Sequence, residues 1–361
     1  MTKPTPEQFG QAAKVAAAMR AEIGKAIIGQ PEVIDSVLCA LLAGGHVLVE
    51  GVPGLGKTLL IKALARTISG SFGRIQFTPD LMPADVTGHT LYDPKNQVFT
   101  TRRGPVFVNL LLADEINRAP AKTQAALLEV MQEAQVTIEG EAHKLEPPFM
   151  VLATQNPIEQ EGTYALPEAQ LDRFLLKVKI DYPNQADELA MVRHVTEGTY
   201  PLPEAQLDRF LFKIEIGYPP LDDEIGVVVR ATTDQAGDEL PLSGVRPVLD
   251  AAGVSRLQQL ASQQQVDEQV VGYAVRIARA TRDYPGVAAG SGSRGALALV
   301  RGARAAALLD GRGFVTPDDV KRVALPALRH RIALTPDALL EGRTANDVLQ
   351  QAIQTVAAPR G

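Results

Sequence analysis

The stretch Gly51-Val-Pro-Gly-Leu-Gly-Lys-Thr58 decides the fold. It fits the pattern G-x-x-x-x-G-K-[ST], in which glycines let backbone N–H groups turn inward around phosphate oxygens. The apolar run His46–Glu50 before it predicts a short buried strand, and Lys57–Ser69 after it has the apolar spacing of a helix. A strand, a glycine loop and a helix in this order predict a nucleotide site within an α/β sheet.

Two side chains of this loop carry the expected chemistry. Lys57 is expected to reach the β- and γ-phosphates of ATP, and the hydroxyl of Thr58 is expected to ligate Mg²⁺. The sequence therefore predicts ATP and Mg²⁺ as cofactors. The residues expected to contact the nucleotide here are Gly51, Pro53, Gly54, Leu55, Gly56, Lys57, Thr58 and Leu59.

An apolar run that ends in acids follows about 57 residues after the loop lysine. Val108–Ala113 reads as a central parallel strand, and Asp114 and Glu115 come directly after it. We expect Asp114 to hold the Mg²⁺ coordination sphere and Glu115 to polarise the attacking water, because phosphoryl transfer needs mainly positioning and charge stabilisation.

Asn156 lies just beyond another predicted strand, Phe149–Ala153. A polar side chain at that tip could orient water against the γ-phosphate. An Asn before a proline also forms turns without any such role. The residues alone leave both interpretations open.

The composition excludes several classes of function. The formal charge is −6, aromatics are 5% of residues and Trp is absent, which argues against nucleic acid as a partner. The single cysteine, Cys39, sits in an apolar stretch and reads as a buried small hydrophobe. No apolar run reaches the 18 residues of a membrane span, so we expect a cytoplasmic protein.

Strand signals stop near residue 220. Before it, strands are predicted at Arg74–Phe77 and Val98–Phe107, a helix at Ala121–Ala134 and a hairpin at Val136–Leu145. After it, helices are predicted at Arg246–Ser262, Val266–Thr281, Gly295–Leu309 and Thr316–Ala327. We therefore predict an α/β core over residues 1–220 and a helical domain over residues 221–361.

One segment occurs twice. Glu161–Pro183 reappears as Glu197–Pro219 at an offset of 36 residues, and the similarity extends weakly over residues 161–196 and 197–232. A single copied unit is not a solenoid, which needs at least three repeats to bury a shared core. The pattern indicates a tandem duplication.

Several motifs together resemble the MoxR family of AAA+ ATPases, from about Ile28 to Ala327. They are Gly51–Thr58, Asp114-Glu-Ile-Asn-Arg-Ala119, Ala153-Thr-Gln-Asn-Pro157 and Leu166-Pro-Glu-Ala-Gln-Leu-Asp-Arg-Phe174. The resemblance implies a P-loop core with a parallel sheet flanked by helices, followed by a small all-α lid. It implies a chaperone-like ATPase that forms a ring, expected to be a hexamer of identical subunits. It also implies a protein client, which in this family is often a protein with a von Willebrand factor A domain.

The resemblance also assigns roles to individual residues. Ile28, Gly29 and Gln30 are similar to the adenine-side motif, Asn156 matches sensor 1 and Arg294 matches sensor 2. Arg294 could also be a solvated arginine at a helix start, although the match to sensor 2 is favoured. The insert Tyr92–Arg103 and the hairpin Val136–Leu145 correspond to elements that face the central pore in related rings.

The duplication gives two candidates for the arginine finger, which stabilises the charge on the transferred phosphoryl group across a subunit interface. They are Arg173 in the first copy and Arg209 in the second. Short connections usually keep consecutive elements adjacent, so we expect the first copy to form the last core strand and the second to be an insertion. The reverse assignment remains open.

Two other functions compete with the remodelling motor. One is a nucleic-acid motor, since related helicases share the insert and the hairpin; the acidic charge counts against it. The other is an ATP-binding scaffold in which the duplication has impaired hydrolysis. The intact set Lys57, Asp114, Glu115 and Asn156 favours hydrolysis.

Overall fold

The computed structural model describes residues 4–51, 56–155, 207–217, 220–232, 242 and 244–359 of the 361-residue chain. The helices are α1 (Pro6–Gly24), α2 (Pro31–Leu42), α3 (Lys57–Arg66), α4 (Pro83–Thr87), α5 (Ala121–Glu133), α6 (Leu221–Thr232), α7 (Ala251–Ser262), α8 (Glu268–Ala280), α9 (Ser293–Leu309), α10 (Pro317–Leu328), α11 (Pro336–Leu340) and α12 (Ala345–Gln354).

The strands are β1 (Val47–Glu50), β2 (Ile68–Ser69), β3 (Phe72–Gln76), β4 (Gly88–Asp93), β5 (Val98–Arg103), β6 (Leu110–Asp114), β7 (Gln135–Ile138), β8 (Glu141–Lys144), β9 (Met150–Gln155), β10 (Phe212–Glu215), β11 (Leu249–Asp250), β12 (Val287–Ala289) and β13 (Ala333–Leu334).

Five parallel strands form the central sheet in the order β10-β1-β9-β6-β3. Strand β6 is buried along its whole length, as expected of a parallel strand that is covered on both faces. One apolar cluster joins α1, α2 and the lid helices to one face of the sheet. A second cluster, which includes α5, covers the other face. This arrangement confirms the predicted α/β fold of the AAA+ type.

Two hairpins project from this core. Strands β4 and β5 pair antiparallel from Gly88 to Arg103, and β7 pairs with β8. The rings of Tyr92 and Phe99 lie 5.1 Å apart on the first hairpin, and Phe99 is 75% exposed. The predicted strand Val98–Phe107 is too long because the N–H of Gly104 bonds back to the carbonyl of Thr87, which closes the hairpin.

The C-terminal region is mainly helical, but it is not entirely so. Strand β12 pairs with β13, and β11 pairs with β2 of the core, so that Leu249 lies opposite Ile68. The predicted helix Arg246–Ser262 therefore begins only at Ala251, where Asp250 caps its first turn. For the same reason the predicted helix Lys57–Ser69 ends at Arg66.

The strand beside β1 comes from the second copy of the duplicated segment, which corrects our expectation. Val47 lies opposite Phe212 and Glu50 opposite Glu215 in a parallel register. The first copy, with Arg173, lies outside the described residues. The preference for short connections did not decide which copy fills this position.

Contacts with the lid explain why the second copy fits this position. A Cβ atom on Gly302 of α9 would lie 2.7 Å from the ring of Phe212, so the helix approaches the aromatic ring too closely for any side chain. Glu215 forms an ion pair of 2.8 Å with Arg329. The first copy has Leu176 and Lys179 at the corresponding places. In the position beside β1 a leucine would lose the ring contact at Gly302, and a lysine would place a second positive charge beside Arg329.

Candidate active site

The phosphate-binding loop follows β1 as predicted. Gly56 adopts a φ of 75°, and α3 begins directly after it at Lys57. The ammonium of Lys57 donates to the carbonyl of Gly51 and, over 3.3 Å, to that of Gln155. Lys57 thus lies between the carboxyl ends of β1 and β9. Residues 52–55, which include the predicted contacts Pro53, Gly54 and Leu55, lie outside the described residues.

The predicted metal ligands lie together at the same edge of the sheet. The hydroxyl of Thr58 is 3.5 Å from Oδ2 of Asp114, which is 7% exposed. Both atoms are hard oxygen donors of the kind that Mg²⁺ prefers, so Thr58 and Asp114 could hold one ion between them. Arg74 of β3 donates to the same carboxylate oxygen at 2.8 Å and so compensates its charge. The donor set fits a magnesium ion that also binds phosphate.

Glu115 occupies a strained turn. Its φ and ψ are 55° and 51°, the left-handed region that costs a residue with a side chain about 1–2 kcal/mol. The hydroxyl of Thr154 accepts a hydrogen bond from the N–H of Glu115 at 2.8 Å and donates to Oδ1 of Asp114 at 2.7 Å. Thr154 is 1% exposed. One buried hydroxyl therefore fixes both acidic residues relative to strand β9.

Two further side chains hold the carboxylate of Glu115. Gln76, at the end of β3, donates from Nε2 to its Oε2 at 2.7 Å, and Arg118 lies 3.2 Å from the same oxygen. The carboxylate thus lies between β3 and the short helical turn after β6. This position is compatible with activating a water molecule at the phosphate-binding edge.

The predicted adenine-side residues lie near the carboxyl end of β10. Gln30 donates to the carbonyl of Gly217 over 3.5 Å, and Ile28 lies against Gly226 of α6. Because β10 and β1 are parallel, this is the edge that also carries the phosphate loop. Ile28, Gly29 and Gln30 therefore lie at the same edge of the sheet as the phosphate loop, and their contact with adenine stays a prediction.

The two predicted arginines that the structure describes lie at the opposite edge. Arg209 precedes the amino end of β10, and Arg294 lies in the first turn of α9. Arg294 contacts Asp208 at 3.1 Å. Both arginines line a cleft of about 320 Å³, together with Gly44–His46, Arg301 and Arg331. The predicted sensor 1, Asn156, falls outside the described residues.

Sequence reasoning missed five residues that contact the predicted site residues or one another: Arg74, Gln76, Thr154, Asp208 and Arg331. Arg74 and Gln76 are two apart in a predicted strand and so share a face. A known strand order would have placed that face beside Asp114. The sequence alone does not give the order of parallel strands.

Two parts of the chain match models of known protein families. Residues 46–176 match the model of the ATPase family associated with various cellular activities (AAA), and residues 279–352 match an AAA lid domain. The first match ends inside the first copy of the duplicated segment, whereas the structure takes β10 from the second.

Relatives are similar over most of the chain. Chaperone MoxR1 of Mycobacterium tuberculosis is 41% identical over 97% of this chain and 85% of its own. Protein MoxR of Methylorubrum extorquens is 31% identical over 95% of each chain. A crystal structure of a candidate ATPase from Cytophaga hutchinsonii is 35% identical, covers 98% of each chain and has a TM-score of 0.79.

Proposed function

The chain belongs to the MoxR-type AAA+ ATPases, and from this premise we propose that its subunits assemble into a ring that remodels or matures a protein client. It is a chaperone-like AAA+ ATPase that binds and hydrolyses ATP. Assembly, the client and the roles of single residues are our proposal. The observation that supports the proposed assembly is the position of Arg209, which lies at the edge of the sheet opposite the phosphate loop of its own subunit.

We assign the chemistry to four described residues. Lys57 binds the β- and γ-phosphates, while Thr58 and Asp114 hold Mg²⁺. The ion, when bound, neutralises the charge that develops on the phosphates. Glu115 orients the attacking water and accepts its proton. Thr154 holds the strained backbone turn at Glu115 through a hydrogen bond to its N–H. Asn156 acts as sensor 1 in this scheme.

The separation between the two edges supports assembly. The four paired rows from Val47–Phe212 to Glu50–Glu215 span about 10 Å, and Arg209 lies further out beyond the amino end of β10. The phosphate loop begins beyond the carboxyl end of β1. Arg209 therefore lies far from the phosphate loop of its own subunit, and a neighbouring subunit is needed to use it as a finger.

The same reasoning supports a role for Arg294 in trans. It lies at the edge with Arg209 and contacts Asp208, the residue before the finger. We propose that both arginines approach the nucleotide of the next subunit in a ring, and that this ring is a hexamer. The choice of Arg209 over Arg173 follows from the pairing of the second copy with β1.

The client is best described as a protein, with one that contains a von Willebrand factor A domain as our specific proposal. The net charge of −6 favours a protein client over nucleic acid. Within the described part of the chain, no helix is long and apolar enough to cross a membrane. We propose a cytoplasmic location, and a division into a core of residues 1–220 and a lid of residues 221–361.

The rate of ATP hydrolysis per subunit tests this proposal when it is measured against protein concentration. A finger supplied in trans predicts that the rate rises with concentration and reaches a plateau as subunits assemble. The matched control is Glu115→Gln, which keeps the site's shape and removes the base. A concentration-independent rate above this control would contradict assembly, and a wild-type rate no faster than the control would instead support the scaffold.

A further inference from the structure

Arg331, just beyond the end of α10, holds the turn that carries Arg209. It donates to the backbone carbonyls of Asp208 at 3.0 Å and Leu211 at 3.1 Å, and also to that of Phe210. The neighbouring His330 contacts the carbonyl of Phe210 at 3.1 Å as well. The lid thus contacts the backbone on both sides of the finger residue.

All five N–H donors of Arg331 have acceptors. Besides the three carbonyls of the turn, Nε donates to the carboxylate of Asp208 at 2.7 Å. Nη1 also donates to the carbonyl of Ala327, near the end of α10. The side chain of Arg331 is only 4% exposed. A rigid fork of five donors can make this set of bonds, whereas the three donors of a lysine cannot.

Asp208 connects this buried arginine to the exposed one. Its Oδ1 binds Arg331, and its Oδ2 binds Nη1 of Arg294, whose side chain is 54% exposed. Asp208 directly precedes Arg209 in the chain. The two arginines assigned to the neighbouring nucleotide are therefore joined through one carboxylate and one guanidinium.

We propose that Arg331 and Asp208 are positioning residues that fasten the turn carrying the arginine finger Arg209 to the lid, on which Arg294 lies, so that both arginines move with the lid as one unit. This inference rests on the proposed function, in which Arg209 and Arg294 act on the next subunit. A lid displaced by nucleotide in one subunit then shifts the finger offered to its neighbour. The nucleotide state of one site thereby sets the turnover of the next.

The test compares kcat and ATP affinity in four variants. Arg331→Lys keeps the charge and removes the fork, and Asp208→Asn keeps the backbone bonds and weakens the link to Arg294. Arg209→Ala removes the finger itself. Arg322→Lys is the matched control, because Arg322 also joins α10 to the core, through Asp35 at 3.0 Å, without contacting the finger turn.

We expect Arg331→Lys to lower kcat about 10- to 100-fold, against about 10³-fold for Arg209→Ala. ATP affinity should stay within about twofold, because the subunit's own phosphate loop is intact. Asp208→Asn should show a smaller loss in kcat. Arg322→Lys should keep the wild-type kcat.

Mixed assemblies separate positioning from simple damage to the fold. Arg331→Lys subunits are mixed with an excess of Glu115→Gln subunits, which cannot hydrolyse ATP but offer intact fingers. We expect hydrolysis per Arg331→Lys subunit to recover. The matched mixture contains Glu115→Gln/Arg209→Ala subunits, which offer neither activity nor finger, and should give no recovery.

The outcomes for the two proposals differ. Arg209→Ala subunits are mixed with Glu115→Gln subunits in the same way, and their rescue would support the finger assignment. If Arg331→Lys then keeps wild-type kcat, or is not rescued in its own mixture, the positioning role is overturned. If Arg209→Ala itself keeps wild-type kcat, the finger assignment fails, and this inference fails with it.

Discussion

The hydroxyl of Thr154 donates to Oδ1 of Asp114 at 2.7 Å, and this bond joins β6 to its neighbour β9. The hydroxyl oxygen of Thr154 also accepts a hydrogen bond from the N–H of Glu115, whose backbone is left-handed. The strained turn at Glu115 is therefore held by a residue 39 positions further along the chain.

Thr154→Val should impair both turnover and stability. The substitution keeps the shape but removes the hydroxyl, which leaves a buried N–H of Glu115 and one oxygen of Asp114 without this partner, at a cost of about 1–3 kcal/mol. We expect at least a tenfold lower kcat. Thr154→Ser is the matched control and should retain most activity. Equal kcat in the Val and Ser variants would remove Thr154 from the mechanism.

Arg74→Gln should make the protein more dependent on Mg²⁺ for stability. Arg74 compensates the charge of Asp114, so its loss should lower the free energy of unfolding of the nucleotide-free protein by about 1 kcal/mol. Stabilisation by Mg²⁺ with ADP should then increase, because the ion no longer competes with a guanidinium. Thermal unfolding with and without Mg²⁺ measures both effects.

The exposed Arg66→Gln, at the end of α3, serves as the control for Arg74→Gln and should change neither quantity. If the gain in Tm from Mg²⁺ is the same in Arg74→Gln as in the wild type, Arg74 does not compete with the ion.

Exchanging β10 residues for their counterparts in the first copy should destabilise the fold. Phe212→Leu opens a gap at Gly302, and Glu215→Lys places a second positive charge beside Arg329, which is 11% exposed. We expect the double variant to lose about 3 kcal/mol in the free energy of unfolding. Ile214→Val, the third such difference within the strand, should cost less, about 1 kcal/mol. Chemical denaturation measures the free energy of unfolding of both variants. A double variant no less stable than Ile214→Val would refute this explanation.

Acid should destabilise the protein through His46. Its Nδ1 accepts the N–H of Val151 and its Nε2 donates to the carbonyl of Met131, each at 3.0 Å, so the ring is neutral. Burial lowers the pKa of His46 to about 4. Below pH 6.5 the unfolded chain binds a proton that the folded chain does not, so stability should fall by up to about 3 kcal/mol between pH 6.5 and 4.

Urea denaturation at several pH values measures this loss. His46→Gln should reduce the slope of the free energy of unfolding against pH by the amount that corresponds to about one proton. Burial also lowers the pKa of His330, which therefore contributes a similar slope that the variant retains. An unchanged slope in His46→Gln would show that His46 does not titrate on unfolding.

Local sequence predicted the parts of the site that follow one another along the chain. Gly51–Thr58 and the pair Asp114 and Glu115 each lie at the end of a strand whose apolar pattern is strong. The contacts of Thr154 depend on which strands are neighbours. That order is a property of the whole sheet, and hydrophobic periodicity does not encode it.

The duplicated segment shows the same limit more sharply. Both copies contain Leu-Asp-Arg-Phe, so local pattern cannot choose between Arg173 and Arg209. The choice depends on residues far away in the sequence: Gly302, which leaves room for the ring of Phe212, and Arg329, which pairs with Glu215. Strand β4 was missed for a related reason, since Gly88–Asp93 becomes a strand only by pairing with β5.

The most direct test of the central claim is kcat at saturating ATP for Arg209→Ala and Arg173→Ala, measured side by side at a concentration where the wild type is assembled. The account predicts a loss of about 10³-fold for Arg209→Ala, with ATP still bound, and near wild-type activity for Arg173→Ala. The reverse pattern would show that the first copy supplies the finger and would contradict the assignment made from β10.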